Sequence, residues 1–284
     1  METRHHVLGR TVGALTAVLT MSLAACTGDG ASEDADSTGE TSAETTPSPT
    51  PTPAPRPVVD ACYRLTLQQL DEAQLDVAAV PCTQPHTTQT YLMATLPADL
   101  DPLDGSAVAA AADRRCRTGL APWLRATPAR LALSRARHAW FVPDEDDLAA
   151  GARWLRCDVA VTRRDTALLN LPEQARGLLK NDASLDRYGR CARTDQAGIA
   201  AGEGGRVCSL PHTWRAVAAR RLGTAGDAYP GAAVRRDVLG RCEQPARAFT
   251  GNSTGDIAVG WLPPSRAGWA AGDRFGLCWT RTRE

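Results

Sequence analysis

Lysine is nearly missing from this 284-residue chain: Lys180 is the only one, and arginine supplies the other basic charge. Together with the many alanines, that bias reads as GC-rich coding, a mark of source and not of role. Net charge is missing too, because 32 basic residues cancel 32 acidic ones. No global field therefore argues for a nucleic acid or an acidic surface as partner. None of the nine cysteines forms a Cys-x-x-Cys, which removes the usual zinc-ribbon and thioredoxin spacings. The apolar run from Thr11 to Leu23 falls short of the ~20 residues that a spanning helix needs. Carboxylates such as Asp158 and Asp273 have no partner at a spacing suited to acid–base catalysis. No catalytic set, metal site or cofactor is expected.

What is present begins with a leader. Arg4 and Arg10 form a basic start and Thr11 to Leu23 a short apolar core, so residues 1–25 read as an export signal. The run Leu23-Ala24-Ala25-Cys26 resembles the lipobox of bacterial lipoproteins. That resemblance implies cleavage before Cys26 and acyl chains such as palmitate on its sulfur and new amine. Two chains suffice for stable anchoring, which would place the protein on the extracytoplasmic face of the cell membrane. Residues 26–57 continue as Ser, Thr, Pro, Gly and acids without a large apolar side chain. Such a segment is expected to be a disordered tether, stiffened by the prolines of Pro47 to Pro57. Cys26 also explains the odd count, leaving eight cysteines to pair in an oxidising compartment.

The rest of the chain is written twice. Cys82-Thr83-Gln84-Pro85-His86 returns as Cys208-Ser209-Leu210-Pro211-His212, and Cys116 and Cys242 follow at the same distance. The offset is 126 positions up to this point and 121 after it, where Trp140, Pro143, Gly151, Arg153 and Cys157 match Trp261, Pro264, Gly272, Arg274 and Cys278. Two tandem units are expected, 58–164 and 188–284, joined by an apolar linker 165–187. In each, a strand carries the first cysteine, and a second strand follows Pro-His. A long helix comes next, capped by Ser106 in the first unit and opened by Pro230-Gly231 in the second. Its buried face holds Val108, Ala112, Cys116, Leu120 and Trp123, matched by Val234, Val238, Cys242 and Phe249. Strands Arg135–Val142 and Arg153–Thr162 flank a short acidic helix ending at Gly151. In the linker, Pro172 is expected to start another short helix.

Cys-x-x-Pro-His before a strand, an alanine-rich helix with a cysteine, and then Pro-x4-Trp-x2-Gly-x-Arg-x3-Cys resembles the septum-formation domain family of actinobacterial exported proteins. Pro264, Trp269, Gly272, Arg274 and Cys278 match the last motif in full, whereas the first unit has Leu148 at the tryptophan. Gln89 and Arg215 stand where the family commonly has an acid, three residues after the histidine. The resemblance implies a link to cell division and no reaction. Three disulfide pairings are possible within each unit. The expected ones are Cys62–Cys82 and Cys116–Cys157, then Cys191–Cys208 and Cys242–Cys278, because these tie neighbouring strands and tie helix to closing strand.

Several residues remain as candidates for function. His86 and His212 could act as a base or, with Cys82 and Cys208, as metal ligands; the plainer reading is that each imidazole bonds nearby backbone. Gly251-Asn252-Ser253-Thr254-Gly255 matches a hydrolase elbow in letters but follows a helix, so it reads as a turn. His138 falls at a core or edge position. The first closing strand carries Trp154, Arg156 and Asp158 on one face, where the second carries Phe275, Leu277 and Trp279. That apolar stripe is either a binding surface or is covered by the linker or the other unit.

The expectation is thus an α+β protein of two tandem disulfide-stapled domains, each a small antiparallel sheet packed with one main helix. Its function is expected to be non-enzymatic, binding a division protein, wall protein or wall polymer. A wall-directed hydrolase using His86 or His212, or a sensory ectodomain whose two units bind a small ligand in the cleft between them, are the alternatives.

Overall fold

The computed structural model describes residues 56–101, 104–231 and 235–282, with side chains given except at 235–237. The signal peptide, Cys26 and the tether up to residue 55 lie outside the described residues, as does Val234. Among the described residues no helix is long and apolar enough to cross a membrane.

The first half starts with β1 (Cys62–Tyr63), a 3-10 turn (Gln68–Asp71) and β2 (Thr88–Thr95). The helix α1 (Gly105–Trp123) follows, then a short α2 (Pro128–Ala132), β3 (Ala136–Phe141), α3 (Glu145–Ala149) and β4 (Trp154–Arg164). Asp104, not Ser106, caps α1: its carboxylate accepts from the backbone N–H groups of Ser106 and Ala107 and from the Ser106 hydroxyl. At the positive end of the helix a carboxylate gains from the dipole as well as from these bonds. The helix buries Val108, Ala112, Cys116 and Leu120, as its periodicity predicts. The short α2 was not expected from the sequence, although Thr127 accepts from the Arg130 N–H and Pro128 occupies the first turn. Asp144 caps α3, and Gly151 ends it with φ of 94°.

The linker does not form the helix expected at Pro172. It contributes β5 (Ala167–Leu168), turns, and α4 (Ser184–Tyr188). Leu171, Ala175 and Leu179 are buried against the first half's core. The backbone N–H groups of Gly177 and Leu179 donate to the carbonyls of Trp123 and Leu124. Capping the end of α1 in this way satisfies carbonyls that a helix leaves open, and the apolar cover outweighs local helix preference.

The second half contains β6 (Arg190–Ala192), α5 (Gln196–Ala201), β7 (Gly205–Val207), β8 (Trp214–Arg221), α6 (Arg235–Thr250), β9 (Val259–Leu262), α7 (Arg266–Ala270) and β10 (Phe275–Arg281). Its pairing registers repeat those of the first half. Cys62 pairs with Gln89 on one side and bridges Val80 on the other; Cys191 pairs with Arg215 and Arg206 in the same positions. Leu92 and Trp140 flank Cys157, as Ala218 and Trp261 flank Cys278. Even the bulge is shared, at Tyr91 and at Val217.

Strand pairing nevertheless revises the picture of two separate domains. One antiparallel sheet of ten strands runs in the order β1-β2-β4-β7-β6-β8-β10-β9, with β3 and β5 also on β4, and Arg164 of β4 pairs with Arg206 of β7. Cores are exchanged as well. Tyr188 and Val207 belong to the apolar cluster around α1, and Ala132 and Leu133 pack on the cluster holding Leu277 and Trp279. The fold is α+β with one sheet shared by two similar halves.

Four disulfides staple it: Cys62–Cys82, Cys116–Cys157, Cys191–Cys208 and Cys242–Cys278, with Cα–Cα distances of 5.3, 5.4, 4.9 and 5.2 Å. These are the pairs the sequence spacing favours. By loop-closure entropy each stabilises the fold by ~3–4 kcal/mol.

Candidate functional site

The two Cys-x-x-Pro-His segments are turns built alike. The Gln84 N–H donates to Pro81 O at 2.8 Å, and the Leu210 N–H to Val207 O at 3.1 Å. His86 Nδ1 then bonds Gln84 O at 2.9 Å, and His212 Nδ1 bonds Leu210 O at 2.8 Å. A carbonyl only accepts, so Nδ1 is the donor in both. The residue after each histidine completes the structure. Thr87 Oγ1 donates to Leu65 O and accepts from Leu65 N–H, and Thr213 does the same with Thr194. This threonine clasp was legible as a shared letter, Pro-His-Thr, but its partners lie about twenty residues earlier, at a spacing no pattern announces. His86 is buried and its Nε2 has no hydrogen-bond partner among the described residues. His212 is half-buried. Among the described residues no group of three or more His, Cys, Asp or Glu side chains is placed to hold a metal ion.

The stripe on the closing strand of the second half is packed inside. Leu277 and Trp279 are buried with Ile199, Trp214 and Ala216, and Phe275 is half-buried. What covers it is α5 together with Ala132 and Leu133 from the first half, rather than the linker. The same face of the first half is built from a buried ion pair. Arg156 lies between the rings of Tyr63 and Phe141, 4.0 and 4.2 Å from their centroids, and its Nε is 3.2 Å from Asp158 Oδ1. Thr88 and Thr90 donate their hydroxyls to Asp158 at 3.1 and 2.8 Å. Burial raises the Asp158 pKa, against the opposing pull of Arg156 and the two hydroxyls. The Arg156–Asp158 contact is a close ion pair without an aligned hydrogen bond, since Arg156 Nε and Nη2 lack one. Ala192, Leu262, Trp214 and Ala216 fill the corresponding positions in the second half.

Phe249 departs from expectation in the other direction: it is 45% exposed, lying beneath the Arg215 guanidinium at 4.9 Å. Its counterpart Trp123 is half-buried and leans on Tyr91 at 5.8 Å between ring centroids, and its backbone carbonyl accepts from the linker's Gly177 N–H. At the Tyr91 position the second half has Val217, which offers no ring to stack on.

No pattern in the sequence announced a concave site in the first half. Between the 3-10 turn, α1 and the outer edge of β3 lies a cavity of about 360 Å³. Asp71, Asp113, Arg117, Arg137, His138 and Trp140 line it. His138 Nε2 is 2.9 Å from Asp113 Oδ1, and Asp113 Oδ2 accepts from Arg117 Nη2 at 2.7 Å. Arg137 Nη2 pairs with Asp71 Oδ1 at 2.9 Å on the opposite rim. Burial lowers the His138 pKa despite the attraction of Asp113. For Asp113 burial pushes upward, but the hydrogen bonds from Arg117 and His138 prevail and hold it below its ordinary value. Asp113 and Arg117 were legible as an i,i+4 pair. Their facing His138 was not, because it sits 25 residues away on another element.

A family model described as septum formation matches residues 60–278, a single match that runs through both halves. Comparisons with curated proteins and with solved structures return no match. Since that match takes in well over half of the sequence, the chain belongs to the septum-formation family and its role is linked to septum formation.

Proposed function

We propose that the protein is a non-enzymatic binding or scaffolding module of the cell envelope, lipid-anchored at Cys26 on the extracytoplasmic face, acting in septum formation or wall assembly through two tandem copies of one unit. The observation that carries this reading is how the two histidine motifs are used. Each imidazole bonds the carbonyl two residues before it, and each following threonine clasps a neighbouring strand. The remaining ring nitrogen of His86 is buried, with the residue only 1% exposed, so no substrate proton is within its reach, which favours the scaffold over a hydrolase built on that histidine. The four disulfides favour an oxidising compartment. Partners would be division or wall proteins, or the wall polymer itself.

A fluorescent fusion to the C-terminus tests the proposal. Enrichment at septa, lost to the medium in Cys26→Ala, is the expected result. Uniform envelope distribution together with normal septation after deletion of the gene would overturn it. The small-ligand reading also gains one specific support, the cavity beside His138, which lies within the first half and not in a cleft between halves.

A further inference from the structure

The two halves share strand registers and helix-on-strand packing, so each is an internal control for what the other's fold requires. In the second half, Leu239, Glu243 and Val259 occupy the positions of Asp113, Arg117 and His138. Leu239 and Val259 simply pack against Val238, Cys242, Trp261 and Cys278. Packing a helix on this edge strand therefore needs neither an aspartate nor a histidine at these two positions. The string Arg117–Asp113–His138 is present for another reason.

A second difference shapes the same cavity. Trp261 is buried over Gly276, where an added Cβ would collide with its ring. The first half has Leu155 at that position, 2% exposed, filling the room that Gly276 leaves open. Trp140, the counterpart of Trp261, stays half-buried and forms part of the cavity wall.

From these observations we infer that the cavity between the 3-10 turn, α1 and β3 binds a neutral, hydroxyl-rich ring, that is, a sugar residue of a polysaccharide or glycan chain. The inference rests on the proposed envelope function for its setting and names the ligand class. Each cation of the site already has its counter-ion: Arg117 has Asp113 and Arg137 has Asp71. A free anion would meet Asp71, Glu72 and Asp113 together, and a cation would meet Arg117 and Arg137. A hydroxyl both donates and accepts, so it can bond to a paired carboxylate and guanidinium without unbalancing either. Trp140 supplies the apolar face on which the C–H side of a pyranose can rest. The volume falls at the small end of the ~300–1,000 Å³ range of ligand pockets.

Isothermal titration of the full-length protein with a set of neutral trisaccharides tests this, using the trimer of N-acetylglucosamine, cellotriose, maltotriose and mannotriose. We expect saturable binding of at least one, with one site per chain. Exchanging in the second half's residues (Asp113→Leu with His138→Val) should weaken it by roughly tenfold or more. Should that double variant fail to melt cooperatively, Arg117→Gln carries the same comparison, with the same loss expected. Absence of binding by all four sugars at millimolar concentration would overturn the inference. So would unchanged affinity in the folded variant, or displacement of the sugar by sulfate or acetate. Septal enrichment of the fusion protein is a separate readout: a septal protein that binds none of these sugars fails this inference alone, and a sugar-binding protein spread evenly over the envelope fails the septal reading alone.

Discussion

His138 Nε2 stands 2.9 Å from Asp113 Oδ1, an edge strand bonded to the helix beside it through one polar pair, where the second half packs Val259 and Leu239. The pair has a consequence for acid stability. Burial lowers the His138 pKa in the folded state, so the folded chain takes up this proton less readily than the unfolded chain. The contribution is full above the ordinary histidine value of about 6.5 and is lost as pH falls through the lowered folded value. Asp113, also lowered, adds a loss in the same direction at more acidic pH. Between pH about 7 and 5, the unfolding free energy of His138→Val should therefore depend less on pH than that of the parent. Urea unfolding at a series of pH values checks this; equal slopes would exclude His138 as the source.

The buried Arg156–Asp158 pair should behave asymmetrically under mutation. Arg156→Leu strands Asp158 without its cation and should cost about 3–5 kcal/mol in urea unfolding. Replacing both, as Arg156→Met with Asp158→Leu, should recover at least half of that loss, because two desolvated charges are removed together. A double variant no more stable than Arg156→Leu would contradict this.

The threonine clasp should prove more valuable than the histidine beside it. Thr87→Val keeps the shape but leaves the Leu65 N–H and C=O without their buried partner. The expected loss is about 1–3 kcal/mol. The equivalent Thr213→Val should show a smaller loss, because its clasp is longer, at 3.3 and 3.1 Å, and only part-buried. Chemical denaturation of the two variants in parallel is the check.

A shared sheet and exchanged cores predict one cooperative unfolding event for both halves. Scanning calorimetry with disulfides intact should give a single transition with equal calorimetric and van't Hoff enthalpies. Leu277→Asp, which places a charge among Ile199, Trp214 and Leu133, should lower the midpoint of that whole transition. Two resolved transitions, with only the second one moved, would restore two independent domains.

Much of this architecture was legible in the sequence because it is local or repeated. The cysteine spacings, the helical stripe from Val108 to Leu120, the acidic helix closed by Gly151 and the order of strands all follow from periodicity, capping and turn chemistry over short windows. Among the three pairings possible in each half, the favoured one is the one found, since each bridge joins neighbouring strands or a helix and the strand it lies on. Where a prediction needed to know what lay above a residue, it failed: Phe249 came out exposed for want of a tyrosine beneath it, and Pro172 opened no helix because the linker is held by α1.

By itself, then, the sequence determined the repeated plan, the staples and the family, all properties of residue order and spacing. Tertiary structure decided three things. It joined the halves through Arg164 and Arg206 into one sheet, it buried Leu277 and Trp279 under α5 and α2, and it brought Asp113, Arg117 and His138 to one cavity. Each depends on contacts between residues far apart in the chain, and such contacts are set by strand register and by which side chains fill the space between layers. Two halves with one register hold different chemistry because Leu155 and Gly276 leave different room for the same tryptophan.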